Sequence, residues 1–258
     1  MKIFAISDMH SFLTPTLKAL KDAGWDENNP EHIIVVCGDC LDRGNETAEM
    51  VEWLIDLIKK GKLIYVKGNH DILMQVMLNR GYAEWHDKHN GTQRSYYQLL
   101  NAHADMMNGQ SPDEIVMSLL LPLYNNMVDY FETQNYIFVH SWIPTNVKFE
   151  GESKPWYQQG KTLTWMEDWR NANDVEWEEA MWGNPFVRAA QDLNKTGKTI
   201  VFGHWHTSWP RHHWEGKSEF EDDADFSPYF GKDFIGIDAC TAHTGKVNVL
   251  VLEDDLIE

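Results

Sequence analysis

The chain has 258 residues, 43% of them hydrophobic and 24% charged, which supports a sizeable buried core and excludes a disordered polymer. Lys plus Arg number 22 against 40 Asp plus Glu, a formal charge of −18 that argues against nucleic acid and anionic membranes as partners. The same charge means that any phosphate site must bring local positive charge, from basic side chains or metal.

Lys2 to Ser7 reads as a buried strand that meets charged Asp8 at once, too soon for a secretion signal. Leu13 to Ala23 follows as a helix with Leu13, Leu17 and Leu20 on one face. His32 to Cys37 is a strand rich in β-branched residues, and Asn45 to Lys60 a helix whose stripe is Met50, Trp53, Leu54, Leu57 and Ile58, stopped by Gly61. Leu63 to Lys67 is the third strand. This strand and helix alternation predicts parallel pairing and an α/β fold. Asp71 to Met107 reads as largely helical, and Ser111-Pro112-Asp113-Glu114 is a capping box opening a helix to about Leu121. Val128 to Phe131 and Tyr136 to His140 are expected to pair. Trp142 to Trp182 has weak periodicity, and strands return at Thr199 to Phe202, Phe234 to Ala239 and Val247 to Leu252. We therefore expect one domain, residues 1–258, with a helical insertion at about 72–122 and a Trp-rich segment at about 142–182. Three cysteines, Cys37, Cys40 and Cys240, make no disulfide framework, and no apolar run approaches the ~20 residues of a membrane span. The expected compartment is the cytoplasm.

Five predicted strands are followed at once by polar residues able to hold metal. They are Asp8 and His10; Gly38-Asp39-Cys40-Leu41-Asp42-Arg43-Gly44; Gly68-Asn69-His70-Asp71; His140; and Gly203-His204-Trp205-His206. One Asp or His after a strand is commonly a turn residue. Five such loops converging on the carboxyl ends of strands form a ligand site, because that is where loops of an α/β sheet meet. Gly38, Gly68 and Gly203 each precede the polar residue, where a Cβ would obstruct a close backbone approach. No phosphate-cradling Lys-Ser/Thr loop and no dinucleotide glycine fingerprint is present. Asp, Asn and His suit Mn²⁺ first, with Fe or Zn²⁺ as alternatives, and the two oxygens of Asp39 can bridge two ions about 3.5–4 Å apart. Cys37 and Cys40 are expected to pack in the core.

In this order and spacing, the motifs resemble the calcineurin-like metallophosphoesterases. The GDxxDRG and GNH forms are similar to the branch of protein Ser/Thr phosphatases, lambda phosphatase and symmetrical dinucleoside tetraphosphatases. The resemblance implies two stacked mixed β-sheets flanked by helices, a four-layer sandwich. It implies that Asp8, His10 and Asp39 hold one metal, that Asp39, Asn69, His140 and His204 hold the other, and that His206 joins the first. By the same resemblance Arg43 clamps phosphate oxygens, His70 is the proton donor to the leaving group, and Asp42 holds and polarises His70.

The expected chemistry is hydrolysis of phosphate monoesters by hydroxide bridging two divalent ions, on phosphoproteins or small phosphorylated substrates. The alternatives are hydrolysis of dinucleoside polyphosphates, with Trp142 and Trp205 stacking a base, and a metal-binding scaffold without catalysis. A nuclease is disfavoured for want of a basic track. Trp142 and Trp205 adjoin ligands and are expected to wall the cleft. Arg211 stands open between a phosphate contact and a surface residue. His212, His213 and the acidic run Glu219 to Asp225 are expected to be solvated loop, and His86, His89, His103 and His243 structural.

Overall fold

A computed structural model describes residues 1–106, 109–150 and 160–256. The chain begins β1 (Lys2–Ile6), α1 (Leu13–Asp22), β2 (His32–Cys37), α2 (Thr47–Lys59) and β3 (Leu63–Val66). Four helices follow, α3 (Asn69–Arg80), α4 (Trp85–Asn90), α5 (Thr92–Ala102) and α6 (Pro112–Tyr124). Then come β4 (Met127–Val128), β5 (Phe131–Glu132), β6 (Tyr136–Phe138) and a hairpin of β7 (Thr145–Glu150) and β8 (Gly160–Trp165). The last part holds α7 (Asp174–Trp182), α8 (Pro185–Ala190), β9 (Thr199–Phe202), α9 (Ser208–Glu215), β10 (Tyr229–Phe230), β11 (Phe234–Gly236), α10 (Thr241–Thr244) and β12 (Leu250–Glu253).

Two five-stranded mixed sheets result, ordered β12-β1-β2-β3-β4 and β10-β11-β9-β6-β5. In the first, β1 to β4 are parallel and β12 is antiparallel at one margin; in the second, β11, β9 and β6 are parallel with β10 and β5 antiparallel at the two margins. The period-two alternation of each strand then decides the layers. Ile3, Ala5, Val35, Cys37 and Val66 meet Phe138, Val201, Ile235 and Ile237 to form the core between the sheets. Phe4, Ile6, Ile34, Val36 and Tyr65 face outward onto Leu54, Leu57, Leu99 and Leu120 of the helices. Ile137, Val139, Ile200 and Phe202 meet Trp142, Trp169, Trp177 and Phe186 on the far side. This is the expected sandwich of two stacked sheets between helical layers.

The predicted capping box is present: the Glu114 N–H donates to Ser111 Oγ at 3.3 Å and the Ser111 N–H to the Glu114 carboxylate at 2.7 Å, and α6 runs to Tyr124 rather than Leu121. The predicted strand Val128 to Phe131 divides. Val128 pairs with Val66 in the first sheet and Phe131 with Phe138 in the second, so the chain crosses between sheets at Asp129 and Tyr130. Nothing in local apolar content marks which sheet a residue joins. The weakly periodic stretch after Trp142 holds the β7–β8 hairpin and α7; its residues 151–159, Trp156 among them, lie outside the described residues. His212 and His213 lie in α9, where a loop was expected. Cys37 and Cys40 are buried in the core as expected, and burial pushes both thiols up, so they stay protonated. Among the described residues no helix is long and apolar enough to cross a membrane.

Candidate active site

The loops after β1, β2, β3, β6 and β9 meet at one edge of the sandwich, because these strands are parallel neighbours within their sheets and their carboxyl ends point the same way. The first two loops are zipped together by their backbones: Asp8 N–H donates to Gly38 O, His10 N–H to Asp39 O, Ser11 N–H to Cys40 O, and Gly44 N–H to His10 O. That zipper holds several residues in the left-handed region. Asp8, His10, Ser11, Asp39, Asp42, Arg43, His204 and Cys240 all have φ between 47° and 73°, and among the described residues Asp192 is the one other non-glycine at positive φ. Each costs roughly 1–2 kcal/mol, and such strain gathers where the surrounding structure holds a functional geometry. Two glycines are needed for close approach: a Cβ on Gly203 would strike Ser7 Oγ and Asp8 Oδ2, and one on Gly68 would strike Asp39 Oδ1.

The ring nitrogens show what the site is built to hold. His140 Nδ1 donates to Cys37 O at 2.8 Å, which leaves Nε2 as a bare acceptor. That nitrogen faces His204 Nδ1 at 3.0 Å, Asn69 Oδ1 at 2.9 Å and Asp39 Oδ1 at 3.5 Å. His10 Nδ1 likewise donates to Leu41 O at 2.9 Å, and its Nε2 faces Asp39 Oδ2 at 3.9 Å and Asp8 Oδ1 at 4.0 Å. Two clusters of acceptors thus converge on the two oxygens of Asp39. Buried acceptors that face one another repel unless a cation lies between them. The backbone carbonyls behind His10 and His140 fix their tautomers, an arrangement common behind metal-binding histidines. The donor set of nitrogen and oxygen fits divalent ions.

Burial, helped by Arg43 and His70, pulls His10 below the ordinary imidazole value; burial lowers His140, and burial with His140 pulls His204 down to about 3. All three are therefore neutral at pH 7, the form in which an imidazole can take a metal ion. Burial opposes the Asp39 carboxylate, but the protonated forms that His140, His70, His10 and His204 take in acid outweigh it and hold Asp39 below the usual carboxylate range. Burial together with Asp238 and Asp39 raises Asp8, and burial pushes Asp238 up to about 7. Three buried carboxylates this close again call for a cation.

Beside this centre, His70 Nδ1 donates to Asp42 Oδ2 at 2.9 Å, and Arg43 Nη2 donates to His70 Nε2 at 3.1 Å. Thr92 Oγ1 of α5 donates to the same Asp42 oxygen at 2.7 Å, so the helices after β3 help fix it. Burial works to lower His70, but the Asp39 charge and the Asp42 hydrogen bond outweigh it, and the imidazole sits above its ordinary value. Arg43 is exposed at the mouth. Asp71 is buried and structural: its carboxylate accepts from the N–H groups of Gly68, Asp39 and Cys40 and from Tyr65 Oη, locking the second and third loops together.

The family model for calcineurin-like phosphoesterases matches residues 1–208, which contain every one of the five loops. The chain belongs to the calcineurin-like phosphoesterase family. An uncharacterized protein of Schizosaccharomyces pombe is 27% identical over 137 residues, 48% of this chain and 38% of that protein. The asymmetrical bis(5'-nucleosyl)-tetraphosphatase PrpE of Anoxybacillus flavithermus is 30% identical over 88 residues, 31% of this chain and 36% of that protein. The matches thus span little more than a third of the length of these curated relatives. Among solved structures, a protein serine/threonine phosphatase from Saccharomyces cerevisiae aligns over 100% of this chain and 81% of its own, with a TM-score of 0.55 and 13% identity, a likeness of fold.

Four candidate site residues lie elsewhere. His206 is turned from the centre: its Nδ1 lies 2.9 Å from Ser208 Oγ and its Nε2 3.5 Å from Glu219, because α9 begins just beyond it and swings the ring outward. Arg211 commits its guanidinium to Thr207 O, Ser227 O and Oγ, Pro228 O and Asp225, so it is a buried clamp on the loop after α9 and not a phosphate contact. Trp142 is 1% exposed and belongs to the core of the second sheet. Trp205 is half-buried against the same core, edge-on to Trp209 at 5.9 Å. The aromatic ring at the mouth is instead Trp182, which is exposed and stands edge-on to His204 at 6.5 Å. Asp238, a buried acid beside Asp8 and Arg43, was missed. The strand signal for it was there, but the strand stops at Gly236 and not Ala239, which makes Asp238 one more residue just past a strand end.

Proposed function

We propose that this chain hydrolyses phosphate monoesters, on phosphoproteins or small phosphorylated molecules, with two divalent ions, Mn²⁺ foremost, held by Asp8, His10, Asp39, Asn69, His140 and His204. The observation that carries this reading is the pair of bare-acceptor clusters meeting at Asp39 with a His–Asp pair and an exposed arginine beside them. When bound, such ions polarise phosphate oxygens and lower the pKa of water. Arg43 presents a planar fork suited to two phosphate oxygens, the positive charge that a chain of net charge −18 lacks elsewhere. His70, held through Nδ1 by Asp42, delivers a proton from Nε2 to the leaving oxygen once the Arg43 guanidinium has turned from that nitrogen to the phosphate. Asp42 keeps the ring oriented and favours its charged form, so a proton is available near neutral pH.

A second reading, hydrolysis of dinucleoside polyphosphates, is favoured by the local likeness to a tetraphosphatase and by Trp182, an exposed ring at the mouth on which a base can stack. Both readings use the same phosphate chemistry. A panel on manganese-loaded protein with a phosphopeptide, nitrophenyl phosphate and diadenosine tetraphosphate separates them. Preferred cleavage of the first two supports the monoesterase, preference for the third supports the alternative, and no turnover of any with full metal content removes both.

A further inference from the structure

The segment after α9 carries a second group of imidazoles that the proposed reaction does not use. His212 Nδ1 donates to Lys217 O at 2.8 Å, and His213 Nδ1 donates to Trp209 O at 3.0 Å. Each backbone carbonyl takes the ring N–H, so each Nε2 is left as a free lone pair, the arrangement seen behind metal-binding histidines. Ligand atoms of His212, His213 and Glu219 all lie within 4.8 Å of one another. Glu219 is shared: one oxygen is 4.0 Å from His212 Nε2 and the other 3.5 Å from His206 Nε2. Among the described residues no lysine or arginine pairs with Glu219.

The group is held by rigid neighbours. His213 stacks on Trp209 at 4.1 Å between ring centres. Gly216 ends α9, with its N–H on His212 O, and the Lys217 N–H reaches Arg211 O, which turns the chain back along the helix. Arg211 then clamps Asp225, Ser227 and Pro228, and Phe220 packs on His206 at 4.7 Å. Glu219 is therefore fixed between two anchored points. The His212 side chain is 48% exposed, so the group is open to ions from solvent.

We propose that His212, His213 and Glu219 bind one zinc ion, separate from the centre at Asp39, with the second Glu219 oxygen held by His206. Two imidazoles and a carboxylate make a three-ligand zinc set that leaves a fourth position for water. A bound ion fastens the acidic loop to α9. The test is zinc content after dialysis against zinc and removal of free ion, in wild type and in the His212→Ala/His213→Ala double variant, and again in both with Asp39→Asn added. The double variant is expected to hold one zinc fewer on either background, with unchanged circular dichroism, because both side chains lie on the surface. Cobalt loaded into the Asp39→Asn protein should give visible absorption that the double variant lacks. Equal zinc content with and without the two histidines, or loss of that same ion from Asp39→Asn alone, overturns the proposal.

Discussion

The loops after β1, β2 and β3 and the segment after β9 begin from the same kind of motif, yet the two regions use it differently. In the first, adjacent parallel strands release their loops side by side, the backbones zip together, and Asp8, His10, Asp39, Asn69 and His70 all reach one buried centre. In the second, Gly203-His204-Trp205-His206 sends only His204 there. The chain enters α9 just beyond, and Trp205, His206 and Arg211 are spent on the protein itself. A ligand motif thus delivers its side chains only as far as the backbone after it stays extended along the site. A helix that starts too early rotates the later ones away.

The sharpest test of that difference is a pair of substitutions. His204→Ala, like Asp39→Asn, should lower manganese content and bring turnover to background, whereas His206→Ala should keep manganese content and most activity. Elemental analysis with turnover on nitrophenyl phosphate checks both, and a loss of manganese from His206→Ala would restore it as a ligand. Next in size is His70→Asn, expected to leave metal content intact and slow alkyl phosphates by roughly 10²- to 10⁴-fold. Nitrophenyl phosphate should suffer less, because its leaving group needs little protonation, and an equal loss on both esters would remove His70 from the proton-donor role.

The two arginines sharpen the comparison further. Arg43→Ala should lower kcat/KM by roughly 10- to 100-fold, the worth of about 1.5–3 kcal/mol in charged hydrogen bonds, and weaken inhibition by free phosphate. Lysine there should rescue part of this. Arg211→Ala should do the opposite: near-normal phosphate inhibition, and a lower thermal midpoint from a loss on the order of 2–3 kcal/mol. The smallest effect expected is in pH dependence. The proton-donating form of His70 is lost as pH rises through its raised pKa, and Asp42 contributes to raising it. Asp42→Asn should therefore move the alkaline limb of kcat to lower pH, and an unmoved limb would assign that limb to another group.

Much of the centre was legible because strand ends can be read locally. Val35 to Cys37 and Leu63 to Val66 announce buried strands, and in a parallel sheet their loops must meet. The glycines before Asp39, Asn69 and His204 were legible for the same reason, since a residue without Cβ beside a charged one marks a tight approach. Asp238 was not, because an apolar run on both sides hid the strand end within it. Asp71 was placed correctly in its motif, but its role as the lock between two loops depends on Tyr65 and Cys40 arriving from other elements.

By itself the sequence determined which residue types stand at the ends of which strands, and hence the chemistry of the centre: composition, period and spacing are properties of the local chain. Tertiary structure decided the rest. It sent Val128 and Phe131 to different sheets, put Trp142 in the core and Trp182 at the mouth, closed the Arg211 fork on a loop, and turned His206 toward Glu219. Each of these turns on which distant partner satisfies a polar group or covers an apolar face, and a side chain's type and spacing carry no record of that partner.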